Sequence, residues 1–209
     1  MINQKNKILA LRIGNIKRLL PFEIKTIGKY DASDLISRLE NIDPEYWLEE
    51  SWRQKTYKAH ASTDTLNILW NKECLNDNKK GAKHERNYNL LDFDKVLEDL
   101  KPIYEKEFGN GDFHRVLITR LKPKSSISVH RDGNLGLMQG RRTHIPLTTN
   151  KNIIFKSGRD LASFHLEVGK VYELNNAKKH AVSNPTNEHR IHLIIDWLQD
   201  KGFWEKMND

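Results

Sequence analysis

The stretch His114-Arg115-Val116-Leu117-Ile118-Thr119-Arg120-Leu121, followed by the turn Lys122-Pro123-Lys124-Ser125 and the extended run Ser128-Val129-His130-Arg131-Asp132, decides the reading of the fold. β-Branched and apolar residues alternate with polar ones, and proline with serine supplies the turn chemistry between them. From Phe113 onward the chain keeps this period of two. Further strands are predicted over Arg142 to Thr148, Asn152 to Phe155, Ser163 to Val168, Lys170 to Leu174 and His189 to Trp197. Short strands at regular spacing argue an antiparallel sandwich or barrel.

Working upstream, the pattern changes. Asp31 to Asp34 offers N-cap candidates before Leu35-Ile36-Ser37-Arg38-Leu39, whose apolar residues recur at helical spacing. Leu91 to Leu100 repeats that pattern and is read as continuing past Pro102 into Ile103-Tyr104. Between them Thr65 to Trp70 reads as a strand, and Lys72 to Tyr88 as a long polar loop. The resulting division is a helical and mixed region at 1–112 packing on a β core at 113–209, together forming one compact domain. The expected fold is mostly β, with helices first and then a jelly roll.

Composition limits the function classes. Hydrophobic residues make up 37% of the 209 and charged residues 30%, enough for a core beneath a solvated surface. The opening twenty residues are broken by charge too often for a signal peptide or membrane span. Cys74 is the only cysteine, which excludes an intramolecular disulfide and a thiolate cluster within one chain. A cytoplasmic location is the expectation. The net charge of +7 is spread along the chain without a nucleic-acid-binding motif, so it argues solubility rather than nucleic-acid recognition.

The chemistry concentrates in four residues. His130 and Asp132 are two apart, which on an extended strand puts both on one face. By itself this pair is a weak signal. His180 supplies a third ligand, and two imidazoles with one carboxylate leave open positions on a metal, the arrangement of non-haem iron oxygenases. Zinc accepts the same ligand types. Arg190, ten positions after His180, opens the apolar run Ile191 to Ile195, where an unpaired guanidinium is costly. One reading pairs it with Asp196 or Glu188. The other has it grip the distal carboxylate of a chelating 2-oxo acid through two parallel hydrogen bonds.

His130-x-Asp132, Arg142-Thr143-His144-Ile145-Pro146-Leu147, and His180 with Arg190 ten residues on resemble the aspartyl/asparaginyl β-hydroxylase family of 2-oxoglutarate oxygenases. The resemblance covers residues 114 to 197, with a looser echo at Trp52-Arg53-Gln54 and His60 to Leu66. It implies a double-stranded β-helix, cupin-like, with Fe(II) at one mouth of the barrel. It further implies His130, Asp132 and His180 as iron ligands and Arg190 as the residue binding 2-oxoglutarate. Arg142 and His144 match a pair lining the co-substrate pocket. Thr119, eleven residues before His130, matches a hydroxyl that helps hold the co-substrate. Asp132 matches the carboxylate of bacterial members, which animal protein hydroxylases of the family lack.

The implied activity consumes 2-oxoglutarate and O2, releases succinate and CO2, and hydroxylates a small amino acid or an amino-acid residue in a peptide. The free amino acid is favoured, with Arg120, Arg131 or Arg142 meeting its carboxylate. The alternatives are a non-catalytic jelly-roll ligand-binding protein and a zinc hydrolase, although no glutamate adjoins a ligand histidine as a base. His192 shares the face of Arg190 and reads equally as pocket lining or as a bonded strand histidine. His60, His84, His114, His165 and His189 read as surface or structural. Trp47, Trp52 and Trp70 read as core packing first and as a pocket wall second, and Trp197, Phe203 and Trp204 read as packing.

Overall fold

The computed structural model describes residues 4–48, 52–70, 81–133 and 135–199. Two antiparallel sheets form its frame. The larger takes strands β1 (Ile24–Lys29), β2 (Thr63–Trp70), β3 (Ala82–Lys83), β4 (Gly111–Leu121), β6 (Arg141–Thr148), β9 (Lys170–Leu174) and β11 (Arg190–Gln199) in the order β1-β9-β6-β11-β4-β2-β3. The smaller takes β5 (Ser125–His130), β7 (Ile154–Ser157), β8 (Ala162–Phe164) and β10 (His180–Asn184) in the order β5-β10-β7-β8.

Strand β11 shows how the sequence builds both layers. Ile191, Leu193, Ile195 and Trp197 point to one face, into a core shared with Leu66, Ile118 and Ile145. Helices α2 (Ser33–Glu40) and α5 (Phe93–Phe108) close that core with Leu35, Leu39, Leu97, Leu100 and Tyr104. Arg190, His192, Ile194 and Asp196 alternate onto the other face, toward the small sheet. There a second cluster of Leu121, Phe155, Tyr172, Leu174 and Val182 joins the sheets and leaves polar residues on the same inner surface. This is the double-stranded β-helix predicted.

Helix α5 runs through Pro102, as its periodicity predicts. An interior proline costs roughly 3 kcal/mol, but each large side chain buried on either side of it stabilises by roughly 1.5–3 kcal/mol. Val96, Leu97, Leu100, Tyr104 and Phe108 are all buried against the sheet, so packing wins.

Some expectations change. The first 112 residues do more than pack on the core, because β1, β2 and β3 are hydrogen-bonded into its large sheet. Residues 81–88 of the expected loop hold β3 and the start of helix α4 (Glu85–Leu90), while 71–80, including Cys74, lie outside the described residues, as do Phe203 and Trp204. The opening charged segment forms helix α1 (Gln4–Leu19). Ala32 is the N-cap of α2, with Asp31 accepting from the Ser33 N–H at 3.1 Å instead of capping directly. Strand β10 was not anticipated; His-Ala-Val-Ser-Asn is too short and too lightly apolar to signal a strand without its neighbours β5 and β7. Among the described residues, no helix is long and apolar enough to cross a membrane.

Candidate active site

The pairing of β10 with β5 sets His180 directly opposite His130. Their rings lie 4.3 Å apart, and Phe155 stacks on His180 at 6.3 Å. Asp132 is not on the strand itself, since β5 ends at His130. It lies in the following turn, fixed by its N–H donating to the Asn176 carbonyl at 3.1 Å. One carboxylate oxygen, Oδ1, then stands 3.8 Å from His130 Nε2 and 4.0 Å from His180 Nε2. The three ligand atoms all fall within 4.8 Å of one another.

Backbone carbonyls settle the tautomers. His130 Nδ1 bonds the Ser128 carbonyl at 2.8 Å, and His180 Nδ1 bonds the Lys178 carbonyl at 3.1 Å. A carbonyl only accepts, so each Nδ1 carries the hydrogen and each Nε2 presents a lone pair toward Asp132. Burial, only partly countered by Asp132, lowers the pKa of His180, which favours the neutral, ligating form. Two imidazole nitrogens and one carboxylate oxygen fit a divalent iron with open positions.

Behind Asp132 stands Arg142. Its Nη1 donates to Asp132 Oδ2 at 2.5 Å, while Nε and Nη2 hold both oxygens of Asp196 at 2.8 and 2.7 Å. Burial disfavours its charge, but Asp132 and Asp196 outweigh burial and hold it above the usual arginine range. Arg142 is therefore committed to two carboxylates. Asp196 also has Arg115 within 3.7 Å, so it is not the partner of Arg190.

Arg190 is 3% exposed and has no carboxylate partner among the described residues. Burial alone lowers its pKa to about 9. Its Nη2 donates to His192 Nδ1 at 2.8 Å, which makes His192 Nε2 the protonated nitrogen, and that buried donor has no hydrogen-bond partner. The Nδ1 of His144, 5.7 Å away ring to ring, is likewise unpartnered. Burial, and then the charge of Arg190, push both histidines well below the ordinary imidazole range, so both are neutral. Thr119 is buried and lies opposite His192 in the sheet register. Unsatisfied buried polar atoms are costly. A cationic guanidinium with two such atoms beside it suits a small dicarboxylate.

A cavity of about 370 Å³ opens on the other side of His130 and Asp132. Tyr57, Lys58, His60, Trp70 and Arg131 line it. His60 reads from the sequence as surface or structural, yet its ring meets His130 edge-on at 5.1 Å. Trp70 takes the second of its two expected roles, forming a wall, and carries Arg115 over its ring at 4.3 Å. The local sequence does not show that the two share a cavity, because η2 (Lys58–His60) reaches the site by packing on β5 and Trp70 ends a strand from the other side of the large sheet. Arg120 faces away, bonding Asp64 at 2.8 Å. Trp47 and Trp197 are core residues, and His114 is buried.

A model of the aspartyl/asparaginyl β-hydroxylase family matches residues 38–200 of the 209. Solved structures agree in fold. A 2OG-Fe(II) oxygenase family oxidoreductase from Burkholderia pseudomallei aligns over 96% of this chain and 93% of its own, with TM-score 0.56 and 14% identity. A prolyl hydroxylase from Trichoplax adhaerens, solved with a hypoxia inducible factor peptide fragment, aligns over 99% and 95% with TM-score 0.54 and 12% identity. A viral collagen prolyl hydroxylase from Paramecium bursaria Chlorella virus 1, in complex with 2OG, aligns over 87% and 98% with TM-score 0.51 and 12% identity. The search of curated proteins gave no match.

Fold, site and family match together define a 2-oxoglutarate-dependent non-haem iron dioxygenase, using Fe(II), 2-oxoglutarate and O2. The chain belongs to the aspartyl/asparaginyl β-hydroxylase family. A non-catalytic binding module and a zinc hydrolase are thereby set aside.

Proposed function

We propose that this enzyme hydroxylates a carbon of an amino acid, free or within a polypeptide, with His130, Asp132 and His180 as its iron ligands and Arg190 as its co-substrate anchor. The observation that carries this assignment is the buried, acid-free Arg190 guanidinium on the inner face that also bears His144 and His192. Bound by the triad, Fe(II) supplies the coupling of 2-oxoglutarate decarboxylation to insertion of one oxygen atom of O2 into a C–H bond.

The protein's own part is positioning. The Ser128 and Lys178 carbonyls orient the two imidazoles, and Arg142 turns Asp132 so that Oδ1 faces them. Arg190 meets the far carboxylate of 2-oxoglutarate, and its planar fork fixes that carboxylate in two directions. His192 Nε2 donates a further hydrogen bond, and Thr119 and His144 offer polar atoms nearby. Phe155 and the apolar cluster around it exclude water. The cavity beside Tyr57, His60 and Trp70 receives the substrate, with Lys58 and Arg131 available to a substrate carboxylate.

The test incubates purified enzyme, Fe(II), ascorbate and 2-oxoglutarate with the proteinogenic amino acids, and separately with a cell-extract proteome. Succinate release coupled to a product heavier by one oxygen supports the assignment. Succinate that stays at the substrate-free level with both pools overturns the amino-acid reading.

A further inference from the structure

Arg131 lines two depressions at once. One is the cavity beside His130 and Asp132; the other is a trough of about 550 Å³ walled by Arg18, Glu23, Arg159, Lys178 and Lys179. Gly158 turns the trough's edge at φ +95°, and a Cβ there would lie 2.7 Å from Glu23 Cγ, so the wall closes this tightly only around glycine.

The charge in this trough is one-sided. Its single acid among the described residues, Glu23, is engaged by Lys178 at 2.9 Å. Arg131, Arg159 and Lys179 are exposed and make no ion pair among the described residues, and Arg18 bonds only the neutral side chain of Asn15 at 3.1 Å. Four cations are thus left without an acid around one concave surface that begins at the iron-site cavity. Like charges held together repel, and a complementary anion relieves that cost.

We infer that this trough docks an acidic segment of polypeptide, which delivers a neighbouring residue to the cavity. The inference rests on the amino-acid hydroxylation proposed above and favours its polypeptide form. A free amino acid brings one carboxylate, which Lys58 and Arg131 suffice to meet, and leaves the remaining trough cations without a role. A single nucleic-acid strand is the less suited anion, because among the described residues no aromatic ring lines the trough as a stacking platform.

The experiment uses the full chain loaded with Fe(II) and 2-oxoglutarate under anaerobic conditions, so that binding is read without turnover. A fluorescein-labelled poly-glutamate peptide is titrated by anisotropy at low and moderate salt, against a glutamine peptide and an oligonucleotide of equal length. The variant is Arg18→Glu with Arg159→Glu, two exposed positions away from the ligands. The expected result is selective binding of the glutamate peptide, weakened by salt and about tenfold or more by the variant. Equal affinity of the parent and variant overturns the inference, and so does tighter binding of the oligonucleotide. The succinate assay is independent: peptide binding without succinate from either pool sinks the hydroxylation reading and leaves the docking surface standing, whereas succinate from the free amino acids alone overturns the delivery of a polypeptide residue to the cavity.

Discussion

Arg142 holds the outer oxygen of Asp132 at 2.5 Å while its other two nitrogens clasp Asp196, so one guanidinium bridges the carboxylate of the candidate metal site to the central strand β11. The inner oxygen of Asp132 is thereby aimed at the two imidazoles.

Arg142 should accordingly govern the metal before it governs the co-substrate. Arg142→Lys keeps the charge but loses the planar set of three donors, and iron affinity should fall by about 10–100-fold. The check is titration with Fe(II) or Mn(II), followed by 2-oxoglutarate titration of the saturated enzyme. An unchanged metal affinity with a weakened co-substrate would return Arg142 to the co-substrate pocket.

The Arg190→Lys substitution should do the opposite. Losing the two-bond fork to a carboxylate costs roughly 1.5–3 kcal/mol. The apparent KM for 2-oxoglutarate should therefore rise about 10–100-fold while metal content stays intact. If that constant does not move, Arg190 is not the anchor.

Replacing Asp132 with Ala removes one of the three proposed ligands and leaves Arg142 paired with Asp196. Turnover of 2-oxoglutarate should be lost with little change in folding, as should that of His130→Ala and His180→Ala. Succinate release and the thermal melt measure the two effects. Full activity of Asp132→Ala would mean that the two histidines suffice.

Lys17 gives a pH prediction. Its ammonium is buried at the end of α1, bonded to the Gly140 carbonyl and to Asn176 Oδ1. Burial, and then the charge of Arg141, lower it from 10.5 to about 7. Between those values the unfolded chain holds a proton that the folded chain lacks, so stability rises with pH through this window. From pH 7 to about 9 the gain is about 2–3 kcal/mol at most. Chemical denaturation at both pH values should show the rise in the parent and its absence in Lys17→Met. The same slope in both proteins would exclude Lys17 as its source.

The sequence by itself determined most of the strand pattern from His114 onward, though not β10, together with helix α5 through Pro102 and the identity of the chemistry. These are local properties: alternation of apolar residues sets a strand's faces, helical spacing sets a buried stripe, and a His-x-Asp pair brings two ligand types within reach of one ion. The family resemblance rested on the same short-range spacings.

Only the tertiary structure decided which charges are already engaged. Arg120, Arg142 and Arg190 are alike in sequence as cations in or beside strands, yet Arg120 is paired with Asp64, Arg142 with Asp132 and Asp196, and Arg190 with no acid among the described residues. His60 reads as an isolated histidine until the topology sets its segment against β5 and its ring against His130. The physical reason is that a buried charge takes its meaning from its partner. The order β6-β11-β4-β2 chose those partners from far along the chain, and no local period records it.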